Sequence, residues 1–137
     1  KPSLNANDNF ELGKKIIEND DHLKIIKDSL DVATNEWKGT SYNSRIKGDL
    51  KFCGKTGTSQ VRRISQRQRE LDIKNKDLPW KFRDHSLFTG YGPVSNPEYA
   101  ISVIIDHGGS GSSKAAPIAK KVMQKVFELY YLKGINA

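Results

Sequence analysis

The densest chemistry in the sequence lies in nine residues, CGKTGTSQV, running from Cys53 to Val61. Gly54-Lys55-Thr56 could close a phosphate-binding loop, in which backbone N–H groups wrap an anion and a lysine neutralises it. The pattern G-x-x-x-x-G-K-[ST] would place its first glycine at position 49. That position holds Asp49, whose charge has the wrong sign, and Gly48 is one residue too far away. Such a loop must also open into a helix whose N-terminal dipole faces the phosphate. Here Gly57-Thr58-Ser59-Gln60-Val61 follow, which favour a strand. Phosphate chemistry is set aside.

On a strand the same residues acquire a different logic. Lys55 brings a fixed positive charge that attracts a carboxylate. Thr56 and Thr58 offer hydroxyls at alternating positions. Gly57, lacking a side chain, lets a second backbone lie close along the strand. A backbone N–H of such a strand can also stabilise the oxyanion of an acyl transfer. Lys-Thr-Gly is one of three elements of a serine acyl-transfer site, the others being Ser-x-x-Lys and Ser-x-Asn. The sequence contains Ser44-Arg45-Ile46-Lys47 and Ser41-Tyr42-Asn43. The two are contiguous, reversed in order and close upstream of Lys55. Nucleophile, second motif and strand must converge from separate elements, and one turn cannot supply two of them. Neither serine is assigned, so the chain is expected to lack its own nucleophile.

Other reactive side chains carry less. His85 opens a strand beside the site, either as a residue orienting neighbouring loops or as a proton shuttle. His22 and His107 show no ligand spacing with Cys53 or each other, so no metal and no cofactor is expected. Cys53 is the sole cysteine and reads as a small core residue.

The elements that must position these groups follow from periodicity. Residues 1–20 read as turns with a short strand near Ile16-Ile17. A helix begins at Asp21, capped by Asp20 or Asp21, with Leu23, Ile26, Leu30 and Ala33 at spacings of three and four. Residues 35–48 are turn-rich and lead into a strand from Leu50 to Val61. Two further strands span His85–Val94 and Tyr99–Asp106, joined through Asn96-Pro97, and the second is long enough to be buried. A glycine-rich loop leads to a helix over 114–132. Ser112 or Ser113 caps that helix, Ala115, Ile118, Ala119, Val122, Val126, Phe127 and Tyr130 form its apolar stripe, and Met123 packs with them. The fold class is α+β, an antiparallel three-stranded sheet flanked by helices.

At 137 residues, with a net charge of +7 and 36% hydrophobic residues, the chain is one modest domain with a basic surface. No apolar run approaches the ~20 residues of a membrane span. Residues 62–83 hold eight Lys/Arg against three Asp/Glu, with Trp80 and Phe82 available for stacking. That run reads as a solvated connection containing a short helical turn. The alternative is a small basic module that uses it on nucleic acid.

Five segments occur in order: KGTSY (38–42), CGKTGTSQV (53–61), RDHSLFTGYGP (83–93), ISVIIDHGG (101–109) and AAPIAKKV (115–122). Together they resemble the C-terminal part of the transpeptidase domain in the elongation-specific class B family of penicillin-binding protein 2. The resemblance covers roughly residues 23–130 and implies a partial penicillin-binding, serine β-lactamase-like fold. By that resemblance residues 1–137 are the C-terminal portion of a transpeptidase domain, without the nucleophile-bearing half, the pedestal domain or the membrane anchor. It further implies a D,D-transpeptidase that cross-links peptidoglycan stem peptides through a serine acyl-enzyme and is trapped by β-lactam antibiotics. Lys55, Thr56 and Gly57 match the family's Lys-Thr-Gly, and Thr58 matches the residue contacting the acyl carbonyl and the carboxylate. Ser59 and Gln60 continue the substrate-lining strand. The family implies a periplasmic location on the bacterial inner membrane, a membrane glycosyltransferase as working partner and no nucleic acid. A chain cut from such a domain would also expose a sheet edge through which it self-associates.

Overall fold

In the computed structural model the chain is described over residues 15–63, 70 and 73–132. The first helix, α1, spans Asp20–Asn35. Its cap is Asn19 rather than an aspartate: the Asn19 side-chain oxygen accepts from the N–H groups of Asp21 (2.8 Å) and His22 (3.4 Å). Asp20 and Asp21 fall instead in the first turn, where their charge complements the helix dipole. The strand expected near Ile16-Ile17 does not form, because nothing pairs with those residues and Ile16 is 96% exposed. The remainder of that expectation, over residues 1–14, lies outside the described residues.

Strands β1 (Cys53–Ser59), β2 (His85–Gly92) and β3 (Tyr99–Ile105) form one antiparallel sheet in the order β1-β2-β3. The register sets Cys53 opposite Tyr91, Thr56 opposite Phe88 and Ser59 opposite His85. Directly opposed residues share a face, so Thr56, Phe88 and Val103 lie on one side and Lys55, Thr89 and Ser102 on the other. At the start of β1, Gly54 faces Gly90. Both must be glycine: a Cβ on Gly90 would overlap the Cys53 carbonyl oxygen, and one on Gly54 would fall 2.5 Å from the Phe88 ring. The Phe88 ring can thus settle against Phe52, with centroids 5.7 Å apart.

The C-terminal helix, α2, spans Ala115–Phe127 and continues as a wider turn over Glu128–Leu132. Its buried residues are Ala115, Ala116, Ala119, Met123 and Phe127, which form the core with Ile46, Phe52 and Phe88. Small residues at the start let the helix approach the sheet closely, and Met123 and Phe127 reach across to Gly92. Of the expected stripe, Ala115, Ala119, Val126 and Phe127 do face the core, but its other members do not. Ile118, Val122 and Tyr130 are 45%, 46% and 65% exposed, because the surface α2 faces is a flat sheet that admits only one side of the helix. The expected serine caps are also absent from the helix start. The first amide, Ala115 N–H, donates to Ser86 Oγ in β2 (3.1 Å), while Ser86 Oγ donates to the Ser110 carbonyl (3.0 Å). A strand residue caps the helix.

β3 is not doubly buried as its length and branched residues suggested. Tyr99, Ile101, Val103 and Ile105 pack towards α2, but Ile104 on the opposite face is 67% exposed. It is an edge strand with one covered face. Between β1 and β2 the described chain makes two single 3-10 turns, Asn75–Asp77 and Trp80–Phe82, consistent with the expected connection.

Candidate functional site

The site is built around the free edge of β1. Thr34, the one fully buried residue of α1, inserts its hydroxyl between that edge and the helix. Its Oγ1 accepts from Gly54 N–H (3.0 Å) and donates to the Gly54 carbonyl (3.0 Å). One step earlier, Asn35 Nδ2 donates to the Phe52 carbonyl (3.1 Å). Gly54 therefore turns both backbone groups away from β2. Because these directions alternate along an antiparallel strand, Thr56 and Thr58 also present N–H and C=O outward, past the point where α1 stops covering the edge.

Lys55 sits at that transition and is exposed. Its ammonium donates to the Thr56 carbonyl (3.1 Å), Thr56 Oγ1 (3.3 Å) and Thr40 Oγ1 (3.5 Å). Thr56 Oγ1 in turn donates to Thr40 Oγ1 (3.1 Å). A cation and two hydroxyls thus converge beside backbone donors with no strand partner among the described residues, an arrangement suited to an anionic group on an extended chain. Thr40 is held there by its neighbours: Gly39 lies against the carbonyls at the end of α1, where a Cβ would be 2.7 Å from Val32 O. Ser59 and Gln60 extend the same edge and are exposed.

Gly57 is less crowded than Gly54 and Gly90. A Cβ there would meet only the Leu87 side chain, tightly at Cβ (3.3 Å) and in ordinary contact at Cδ1 (3.8 Å). From the α2 side, by contrast, Gly111 presses flat on Gly57, with its own absent Cβ 2.5 Å from the Gly57 carbonyl. The loop before α2 thereby backs the strand while leaving the other face of Gly57 clear.

His85, opposite Ser59, accepts the backbone N–H of His107 at Nδ1 (3.0 Å). Asp106 Oδ1 lies 3.4 Å from the same nitrogen. A nitrogen accepting a backbone N–H offers no proton to a carboxylate, so the hydrogen-bond partner of Nδ1 is the His107 amide rather than Asp106. His107 is the one described non-glycine residue at positive φ, +54°. Its Nδ1 bonds the Arg83 carbonyl (2.9 Å), and its ring packs 4.4 Å from Trp80. This corner places His85 where it steadies the loop that ends in Gly111.

Ser41 and Ser44, the serines of the two short motifs, are each 2% exposed. Ser41 Oγ donates to the Ala33 carbonyl (3.0 Å), and Lys47 lies exposed beyond the turn that holds Ser44. Cys53 is buried opposite Tyr91, whose hydroxyl makes no hydrogen bond of ordinary geometry; the thiol beside it gives only a weak contact. Burial pushes both the thiol and the phenol up from their usual ranges. Among the described residues no three His, Cys, Asp or Glu side chains gather as a metal site. In the basic connection, Trp80 packs on His107 and Lys81 lies over the Phe82 ring, while residues 64–69, 71 and 72 lie outside the described residues.

Reading residues alone missed Thr34 and the role of Thr40. Thr34 is a polar residue on an otherwise amphipathic helix, and Thr40 lies in a turn; neither type nor spacing signals a partner far along the chain.

The strand, its backing loop and its lysine–threonine corner form an edge suited to an extended chain with an anionic group. The chain matches the model of the penicillin-binding protein transpeptidase domain over residues 6–124, and it belongs to that family. It is 35% identical over 98 residues to peptidoglycan D,D-transpeptidase MrdA of Haemophilus influenzae, covering 72% of this chain and 14% of that protein. To MrdA of Salmonella typhimurium it is 31% identical over 104 residues, covering 76% of this chain and 16% of the relative. Among solved structures it resembles PBP2 of Helicobacter pylori, described in complex with MreC. The TM-score is 0.65 at 29% identity, over 81% of this chain and 18% of that one. The chain therefore spans less than a fifth of the length of these relatives. The comparisons support the partial penicillin-binding fold and lend nothing to a nucleic-acid module.

Proposed function

We propose that this chain is the C-terminal portion of the transpeptidase domain of a peptidoglycan D,D-transpeptidase of the penicillin-binding protein 2 type. It supplies the Lys-Thr-Gly wall of the active site. The observation that carries the reading is the convergence of Lys55, Thr56 and Thr40 beside an edge on which Thr56 and Thr58 face outward. A stem peptide ending in D-Ala-D-Ala lies along that edge as an added strand, with its carboxylate at Lys55 and the Thr56 and Thr58 hydroxyls. Gly57 gives it room, Ser59 and Gln60 line its continuation, and His85 steadies the backing loop. The outward N–H of Thr58 stabilises the oxyanion when the scissile carbonyl is attacked.

The attacking serine, with the lysine that deprotonates it, comes from sequence outside these residues. It forms an acyl-enzyme and releases D-Ala, and an amine of a neighbouring stem then takes the acyl group. β-Lactams bind the same edge as mimics of the peptide. The parent works at the periplasmic face of the bacterial inner membrane with a membrane glycosyltransferase of cell elongation. An MreC-like partner fits the same setting, since the H. pylori relative is described in such a complex. In the isolated chain, the open edge is where two copies would pair.

The test has two parts. A D-Ala-D-Ala pentapeptide added to the isotopically labelled chain should shift the amide resonances of residues 55–60, and Lys55→Ala should weaken that binding about tenfold or more. Fluorescent penicillin should leave the chain without a covalent label. Labelling abolished by Ser44→Ala would place the nucleophile within this chain and overturn the reading.

A further inference from the structure

A cleft of ≈ 610 Å³ opens beside the Lys55–Thr56 corner, between the turn at residues 40–44 and the first turns of α2. Thr40 belongs to both: it lines the cleft and accepts the hydroxyl of Thr56 and the ammonium of Lys55. Across from it, Lys120, Lys121, Gln124 and Ser113 project from α2 or its leading loop. Much of its wall is apolar, with Pro117 and the side-chain stems among the lining, while Asn43, Ser112, Ser113, Gln124 and the two lysines supply polar groups and no acidic residue lines it.

Two further facts set its electrostatics. Lys120 and Lys121 have no acidic partner among the described residues, whereas Lys125, one turn on, pairs with Glu128 at 3.1 Å. The first amides of α2 are already committed, Ala115 N–H to Ser86 Oγ and Ala116 N–H to the Gly111 carbonyl. The positive field in the cleft therefore comes from the two lysine side chains. Two lysines without an acidic partner among the described residues, beside a few hydroxyls and amides in an otherwise largely apolar cleft, suit a carboxylate, which accepts several hydrogen bonds at once.

We propose that this cleft binds an acidic side chain of the same peptide whose terminal carboxylate is held at Lys55, making it a second anion subsite of the substrate edge. The inference rests on the substrate reading given above. It adds a requirement that Lys-Thr-Gly alone does not impose: the peptide must carry a free carboxylate besides its terminus. Thr40 joins the two subsites, so filling one orders a wall of the other.

The experiment measures binding of two pentapeptides ending in D-Ala-D-Ala to the 137-residue chain. They differ only in whether one internal glutamyl carboxylate is free or amidated. The chain should prefer the free acid by about fivefold, the size of an exposed ion pair, with the preference fading as salt rises. Replacing both cleft lysines (Lys120→Ala with Lys121→Ala) should erase the preference while retaining the amidated peptide's affinity. Lys55→Ala should weaken both peptides alike and keep the preference. Equal binding of the two peptides, or a preference that survives the double substitution, would sink the cleft proposal alone. Failure of both peptides to bind would instead sink the substrate reading, and this inference with it. Succinate in place of peptide separates the sources: saturable binding as tight as the peptide's would make the cleft a site for free carboxylates, overturning the shared-substrate form.

Discussion

Lys55 shows how little a lone cation achieves until its neighbours give it direction. Its ammonium is exposed, yet three oxygens from Thr56 and Thr40 hold it against the β1 edge. Gly57 is the complementary case, a residue defined by what it leaves empty. A Cβ there meets Leu87 Cβ at 3.3 Å, close enough that Leu87 must shift slightly, so Gly57→Ala should cost about 1 kcal/mol of unfolding free energy in a urea titration. The same substitution should weaken D-Ala-D-Ala peptide binding severalfold in a titration followed by NMR, because the methyl stands where the incoming backbone must lie. Loss of stability without loss of binding would show that Gly57 serves the fold instead.

Among the elements, α2 is fastened to the sheet by a single hydroxyl. Ser86 is fully buried, and its Oγ both caps Ala115 N–H and holds the Ser110 carbonyl. Ser86→Ala leaves a buried amide unsatisfied, which should cost about 1–3 kcal/mol in chemical denaturation with an unchanged denaturant slope. This contact also marks the limit of what the residues disclosed. Helices, strands and their order followed from periods of 3.6 and 2, and Lys-Thr-Gly was visible as three adjacent letters. The cap was not, because Ser112 and Ser113 stand where a local cap belongs while the real one lies in another element. The face of α2 was partly misplaced for a related reason. Ile118 and Val122 are larger and more apolar than Ala116, so composition favoured them over it, but close approach to a flat sheet selects small residues. Thr34 and Thr40 belong to the same group: their partners are set by tertiary packing, to which periodicity is blind.

The molecule as a whole is a helix–sheet–helix arrangement in which the β1 edge beyond α1, the site proposed above, has no neighbouring strand among the described residues. Its interior carries two protonated groups, Cys53 and Tyr91, facing each other across β1 and β2. Burial raises the pKa of both above the values they have in an unfolded chain. Below the unfolded thiol value neither group differs between folded and unfolded states, so this source of stability is fully present. Above about pH 8.5 the unfolded chain releases protons that the folded chain retains, and stability should fall steadily as pH rises. Thermal unfolding between pH 7 and 10 would check this, with Cys53→Ala reducing the slope of the decline. In the same range a thiol reagent should react with Cys53 only as fast as the chain opens. Rapid labelling of the folded chain would contradict that burial.

Thr34 has a consequence beyond holding α1 in place. By accepting from one backbone group of Gly54 and donating to the other, its hydroxyl behaves as a one-residue neighbour strand. An incoming chain cannot pair with Gly54, and the next outward-facing groups are two residues further on, at Thr56. The phase and starting point of any added strand are thus decided before it arrives. For the substrate proposed above, a single buried oxygen would act as a ruler, setting where the guest backbone must begin and which of its carbonyls would come to rest at Thr58.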